Sequence, residues 1–200
     1  NNGIDIMPGA NFTLSYCNVS GAYNGIVTRT EAQSYVNISN SNISAGNAGI
    51  TLAGNLQGDG FGTPPTSTIY KCNITTSSTG VSVSNYSAVL IKENTFTSCG
   101  ISVLNVPSAY IQSNNVSLGT NSNQSGVFIN NSGGYIRGNI VKNRVYGIHL
   151  ANSSPDIGGN ILENNYKHGL YIGSGSFPNL IGLVQTNPPT YYPLAGYNTI

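Results

Sequence analysis

The chain has 200 residues, of which only 7 Lys+Arg and 6 Asp+Glu carry charge, and its formal net charge is +1. A charged fraction of 6%, against about 25% in ordinary soluble domains, excludes a basic surface for nucleic acid or an anionic membrane. It also excludes a coiled coil or helical bundle, and a hydrophobic fraction of 38% argues against a disordered chain. No apolar run approaches the roughly 20 residues of a membrane span.

A glycine followed by an apolar–x–apolar triplet recurs along the chain, and the first copy is Gly3-Ile4-Asp5-Ile6. The glycines of the successive copies are Gly3, Gly25, Gly49, Gly80, Gly100, Gly126, Gly147 and Gly169. They lie 22, 24, 31, 20, 26, 21 and 22 residues apart. A period of 2 predicts a short strand with one inward face, and we expect the glycine to allow a tight or positive-φ corner before it.

A second element lies between the triplets and reads apolar–x–x–Asn–x–apolar, most clearly from Ile91 to Phe96. The residues at its Asn position are Cys17, Ser41, Cys72, Asn94, Asn114, Asn139, Asn160 and Asn198. We expect this position to tolerate the left-handed conformation and to form a ladder of stacked amides, in which Ser and Cys are small enough to take part.

Short strands that repeat every 22 residues or so cannot be stable alone, but stacking them coil on coil pairs their backbones and builds a continuous core. The sequence therefore predicts an all-β parallel β-helix of about eight coils, formed by one domain over residues 1–200. The segments 54–68 and 183–196, rich in Gly, Pro and Tyr, are predicted loop insertions. Neither terminus reads as a polar cap, so we expect part of a longer chain, or subunits that associate end to end.

These repeats resemble those of the right-handed parallel β-helix proteins of the pectate-lyase-like superfamily, and most closely the plain repeats of the NosD-like type. The resemblance spans Asn2 to Ile200 and implies a right-handed parallel β-helix. It implies little about function, because this fold carries lyases, hydrolases, adhesins, phage tailspikes and structural proteins.

The resemblance to the superfamily's enzymes implies acidic side chains on an outer sheet, either as several Asp for calcium or as paired Asp. The predicted outward residues of the Gly-led strands are Asp5, Val27, Thr51, Ser82, Ser102, Phe128, His149 and Tyr171, with a single carboxylate among them. The acids of the chain share no column on neighbouring coils, whereas glycoside hydrolysis usually needs two carboxylates about 5–10 Å apart. The sequence thus favours a protein without catalysis and identifies no catalytic residue.

Aromatic and imidazole side chains gather in the last coils. Phe128, His149 and Tyr171 are predicted to share one column, and Tyr146 and His168 the adjoining one, with Lys142, Arg144 and Glu163 close by. Such a surface could bind sugars through its aromatic faces and polar groups. It could equally be an aromatic ladder that only stabilises the outer sheet, with Lys142 and Glu163 as a surface ion pair.

The three cysteines and two histidines form no metal-binding spacing, so we expect neither a metal nor a cofactor. Cys17 and Cys72 are interpreted as buried members of the ladder, two coils apart and beyond disulfide reach, and Cys99 as an exposed residue of another column. NosD-like relatives are associated with copper delivery, but a chain with one Met and two His lacks the ligands that copper would need.

N-glycosylation sequons are numerous, although composition and strand alternation explain most of them. They lie at Asn11, Asn18, Asn37, Asn42, Asn73, Asn85, Asn115, Asn123, Asn130 and Asn152. Four of them, Asn18, Asn42, Asn73 and Asn115, fall in one predicted outward column.

Together these features predict a secreted or cell-surface structural or adhesive β-helix, such as a stalk or filament subunit. Its expected partners are glycans and further copies of itself, and not nucleic acid or a membrane-spanning environment. The alternative is a polysaccharide lyase or glycoside hydrolase whose active site the sequence does not reveal.

Overall fold

The computed structural model describes residues 1–31, 34–55, 66–117 and 125–181, together with the backbone of 185–187. These residues form β-strands without any helix, so none of them belongs to a helix that could cross a membrane. The strands run parallel and stack as a solenoid of about 7 turns, close to the eight predicted coils. The predicted parallel β-helix is confirmed.

Each coil contributes strands to three faces. The first face contains β1 (Asn2–Ile6), the second halves of β3 (Asn18–Thr28) and β5 (Asn42–Ala53), β8 (Thr79–Ser84), β11 (Gly100–Leu104), β14 (Val127–Asn130), β17 (Tyr146–Ala151) and β20 (His168–Ile172). The second face contains β2 (Asn11–Ser15), β4 (Tyr35–Ser39), β6 (Ser67–Tyr70), β9 (Ala88–Lys92), β12 (Ser108–Gln112), β15 (Gly134–Arg137), β18 (Asp156–Gly158) and β21 (Asn179–Leu180). The third face contains the first halves of β3 and β5, β7 (Asn73–Thr76), β10 (Thr95–Thr97), β13 (Asn115–Ser117), β16 (Ile140–Lys142), β19 (Ile161–Glu163) and β22 (Gln185–Asn187).

The core is a set of apolar columns inside the solenoid. On the first face, Ile26, Ile50 and Val81 occupy equivalent positions of successive coils, and each is completely buried. The residues between such positions face outward, as the apolar–x–apolar pattern predicts. The core therefore grows by one layer with each coil and needs no helix to cover it.

The corner between the second and third faces contains a fully hydrogen-bonded asparagine ladder. Nδ2 of Asn94 donates to Oδ1 of Asn114 at 3.0 Å, and Asn114 and Asn139 repeat the bond to Asn139 and Asn160, each at 2.9 Å. Each Oδ1 also accepts the backbone N–H of the ladder residue in the preceding coil, and each Nδ2 reaches a backbone carbonyl. The amides thus use their full bonding capacity in the interior.

Cysteine and serine continue this column in the first coils. The backbone N–H of Cys72 donates to Oδ1 of Asn94 at 2.9 Å, and that of Cys17 to Oγ of Ser41 at 3.1 Å. Cys72 is buried and Cys17 is half-buried, and both are free thiols. The predicted ladder position Asn198 lies outside the described residues.

The left-handed residue of this corner is the one before the ladder position, and not the ladder residue itself as the sequence suggested. It has a positive φ in every described coil, as at Lys71 (52°), Glu93 (56°) and Ser113 (54°), and later at Gly138 and Gly159. The turn is made at an exposed or half-exposed residue. The ladder residue is consequently free to point inward in an ordinary conformation.

The glycines before the triplets also differ from the prediction, because they have no positive φ. Their role is to let adjacent coils approach closely. A Cβ on Gly49 would lie 2.5 Å from the carbonyl oxygen of Gly80 and 2.7 Å from Cγ2 of Ile74. The absence of a side chain, rather than backbone freedom, is what this position requires.

The two predicted loop insertions lie mostly outside the described residues, and strands begin within both segments. In the segment 54–68, residues 56–65 lie outside the described part of the chain, and the strand β6 already begins at Ser67. In the segment 183–196, Gln185–Asn187 is a strand that pairs with Ile161–Glu163. The third face therefore continues into a segment whose Pro and Tyr content suggested a loop.

Replacing Asn139 by Ala should destabilise the protein by about 2–4 kcal/mol, since an unsatisfied buried polar group costs about 1–3 kcal/mol and several partners of Asn139 would lose their bonds. Urea unfolding measures this change. The control Asn42→Ala removes an exposed amide that also bonds its neighbours along the stack, and should change stability by less than about 0.5 kcal/mol. Equal decreases in the free energy of unfolding of the two variants would contradict the conclusion that the ladder stabilises the protein because it is buried.

The variant Gly49→Ala should lose about 1–3 kcal/mol or more, because the new methyl group overpacks the contact between coils. The same strand offers a matched control in Gly46, where the nearest atoms to a Cβ lie 3.8 Å away. Thermal unfolding should place Gly46→Ala close to the wild type. A neutral effect at Gly49 would show that the coils can separate without cost.

Candidate functional site

Five rings form one continuous surface on the first face, which we call the platform: Phe128, Tyr146, His149, His168 and Tyr171. Strand register places Phe128 beside His149 and His149 beside Tyr171, and it pairs Tyr146 with His168. All five side chains are half-buried, because they stand on the outer side of strands whose alternate residues are in the core. The structure contains both predicted columns of rings.

The rings of the platform are in direct contact. The ring centroids of His149 lie 4.9 Å from those of Phe128 and Tyr171, in edge-to-face orientation. His168 stacks on Tyr146 at 5.7 Å and on Tyr171 at 5.5 Å, and Tyr146 lies 5.2 Å from Tyr171. These separations fall in the range of favourable aromatic pairs, so the side chains hold each other in place.

Polar groups adjoin the platform at its edges. Oγ of Ser125 lies 3.4 Å from Nδ1 of His149, and the ammonium of Lys167 lies 5.8 Å from the centre of the Tyr146 ring. Burial lowers the pKa of His149, and burial together with the charge of Lys167 lowers the pKa of His168. Both imidazoles are therefore neutral at pH 7, and each can donate one hydrogen bond and accept another.

The three charged residues expected beside the platform lie elsewhere. Lys142 and Glu163 form an ion pair on the third face, with Nζ and Oε2 2.6 Å apart. Arg144 is 1% exposed and sits in the core, where its Nη2 donates to the carbonyl oxygen of Cys99 and burial lowers its pKa. The expectation that Arg144 could serve sugar hydroxyls at the surface is wrong, because its side chain turns into the solenoid.

Cys99 is also buried, with no exposed surface, which corrects the expectation that it faces solvent. Its thiol donates to the carbonyl oxygen of Ile74, and burial raises its pKa. It packs at the corner between the third and first faces, the same corner that Arg144 enters from a later coil. Both residues stand at a corner between strands, where side chains do not alternate, so their inward direction could not be predicted from the period of 2.

Most acidic side chains are neutralised by bases on adjacent coils. Asp5 pairs with Arg29 and Asp156 with Arg137, and Glu93 lies between Lys71 of the preceding coil and Lys92 of its own coil. Among the described residues, no group of three or more His, Cys, Asp or Glu side chains is close enough to hold a metal ion. The ionised groups thus act as cross-coil pairs rather than as a cluster of acids.

A second aromatic row on the second face was not anticipated. The rings of Tyr110 and Tyr135 lie 4.8 Å apart, and the guanidinium of Arg137 lies 5.0 Å from the Tyr135 ring. Two ammonium groups, of Lys71 and Lys92, approach the ring of Tyr70. The sequence indicated that Tyr110 and Tyr135 face outward, since inward Ala and Ile residues stand beside them. Only the pairing of strands β12 and β15 shows that the two tyrosines are neighbours.

Most of the sequon asparagines lie at the surface. Exposed ones are Asn11, Asn18, Asn37, Asn42, Asn73, Asn115 and Asn152, half-exposed ones are Asn85 and Asn130, and Asn123 is outside the described residues. On the third face Asn42 donates to Asn18 at 2.7 Å and Asn73 to Asn42 at 2.9 Å. Glycans on all three would stand one strand spacing apart, about 4.8 Å, which is too crowded for neighbouring sugars.

This molecule is a parallel β-solenoid with an aromatic surface. Its parallel strands form three faces, an amide ladder lies in the interior, and a row of rings faces outward. The family model for the right-handed β-helix region matches residues 29–182, and the chain belongs to that family. Comparisons with curated proteins and with solved structures give no significant match.

Stability should decrease as the pH falls below about 6.5, because the folded protein keeps both imidazoles neutral while histidines of the unfolded chain take up protons there. The melting temperature should therefore be lower at pH 5.5 than at pH 7.5. In the double variant His149→Gln, His168→Gln this difference should shrink. NMR titration of the wild type should find both imidazole pKa values below 6.5, and values above it would contradict the assignment.

Proposed function

We propose that this chain is an extracellular structural or adhesive β-helix module that contacts carbohydrate through the platform. The observation that carries the proposal is the platform itself, five half-exposed rings in mutual contact on an otherwise weakly charged solenoid. Scattered aromatic residues on a surface are common, whereas a contiguous row of rings offers a surface that another flat molecule can cover.

Sugar rings are suited to this surface because one side of a pyranose exposes C–H groups that pack against the face of an aromatic ring. The platform is preformed, since its side chains contact each other and stand on a sheet anchored by completely buried residues such as Val127 and Ile148. Binding would therefore order few side chains, which lowers its entropic cost. The neutral imidazoles of His149 and His168 add donors and acceptors for hydroxyl groups.

A binding role agrees with the arrangement of the acids. Asp5, Asp156 and Glu163 each form an ion pair with a base on a neighbouring coil, with N–O distances of 2.6–2.8 Å. A proton-donating carboxylic acid must instead be free to reach the substrate. The extracellular setting is part of the proposal, and it is supported by the weakly charged, Asn-rich and Ser-rich composition and by the exposed sequons.

The double variant Phe128→Ala, Tyr171→Ala should lose binding on a glycan array, with affinity reduced about tenfold or more, because two stacking faces are removed. The matched control is Tyr110→Ala, Tyr135→Ala, which removes the ring pair of the second face and should bind like the wild type. Unchanged binding by the platform variant would contradict the proposal. So would a rise in ultraviolet absorbance during incubation with pectin or alginate, since eliminative cleavage would identify a lyase.

A further inference from the structure

An open groove runs along the corner that follows the first face. Its volume is about 620 Å³, within the roughly 300–1,000 Å³ of ligand-binding clefts. The lining comes from three successive coils and includes Asn105, Asn131, Asn152 and Ser154. None of the lining residues is ionisable.

The asparagines of the groove share one backbone conformation, and the side chains of Asn105 and Asn131 are hydrogen-bonded to each other. Asn105, Asn131 and Asn152 all have the left-handed conformation, with φ of 54°, 47° and 46°. Nδ2 of Asn131 donates to Oδ1 of Asn105 at 2.8 Å, and Asn105 donates in turn to Asn85 at 2.9 Å. The side chains of Asn131 and Asn152 are exposed. The backbone of each is hydrogen-bonded to the next coil, from the N–H of Asn131 to the carbonyl oxygen of Ala151 and from that of Asn152 to the carbonyl oxygen of Ser174, both at 3.1 Å.

The floor of the groove is equally rigid. Buried Ser132 accepts the backbone N–H of Val106 at 2.8 Å, and the backbone N–H of Ser132 donates to Oγ of Ser153 at 3.1 Å. Ser153 repeats this contact with Ser176. A serine ladder thus supports the exposed asparagines from beneath, so the groove needs little reorganisation to receive a ligand.

The groove and the platform share two coils. Asn131 follows Phe128 by three residues and Asn152 follows His149 by three, a separation of about 10 Å along an extended strand. The residues between them at the surface are Asn130 and Ala151, which are uncharged and paired in register. A chain molecule lying along the strand direction would therefore pass from the rings directly onto the asparagine corner.

Building on the proposed function, we propose that the groove is a second subsite for the same glycan, and that the glycan is a neutral, extended chain. Side-chain amides supply a donor and an acceptor each, the pattern that sugar hydroxyls match. A polyuronate would bring a carboxylate on every unit, and the groove has no cation to pair with it. An extended chain fits this arrangement, because the platform and the groove follow one another along the strand direction.

The test compares cellobiose with cellohexaose by isothermal titration calorimetry. The wild type should bind the hexasaccharide about tenfold or more tightly than the disaccharide, and Asn131→Gly, Asn152→Gly should remove that gain while leaving disaccharide binding unchanged. Glycine suits these positions, because both have positive φ. Asn164→Gly is the control, since Asn164 is exposed and has φ of 52° but lies after the third face and does not line the groove.

Full hexasaccharide affinity in Asn131→Gly, Asn152→Gly would overturn the second subsite and leave the platform untouched. Tighter binding of an oligogalacturonate of equal length would overturn the neutral class of ligand. A wild type that binds neither cello-oligosaccharide would overturn this assignment of the ligand and leave the platform to the glycan array. A Phe128→Ala, Tyr171→Ala variant that binds the hexasaccharide like the wild type would overturn the proposed function together with the subsite.

Discussion

The register between successive coils is the constraint on which this molecule depends. Every described strand pairs in parallel with the equivalent strand of the next coil, so each side chain has a neighbour of known identity about 4.8 Å away. The buried ladder from Asn94 to Asn160 enforces that register, because a slip would leave amides and backbone groups unbonded in the interior. The aromatic platform, the ion pairs and the asparagine corner are all consequences of it.

Register also explains how coils of unequal length coexist. The triplets that begin at Gly49 and Gly80 are 31 residues apart, yet Ile50 pairs with Val81 and Thr51 with Ser82 as regularly as in shorter coils. The strands described on either side of residues 56–65 therefore keep the core and the columns regular in spite of the longer coil. Side chains at the corners and at outward positions can therefore vary without changing the core. The platform and the groove are built from such positions.

The column that a strand residue occupies could be predicted from the sequence, but the direction of a corner side chain could not. The alignment of Phe128, His149 and Tyr171 follows from counting residues after each glycine. Residues at equal distance from the glycine occupy equivalent positions of stacked strands and so lie on the same side of the sheet. The burial of Arg144 could not be predicted, since a guanidinium without an acidic partner is normally kept at the surface. The groove at Asn131 and Asn152 was missed because asparagine in a turn indicates only a turn, and its neighbours on other coils are unknown before the corners are built.

By itself, the sequence determined the parallel β-helix, the inward and outward sets of residues and the ladder positions, since these depend on a period of 2 within strands and of about 22 between coils. Only the tertiary structure decided the conformation at the corners: the left-handed residue before each ladder position, the close approach at Gly49, and the inward turn of Cys99 and Arg144. The physical reason is that a strand has two sides and alternates between them, whereas a corner residue can point inward, outward or along the stack, and only packing against the coils above and below selects among these.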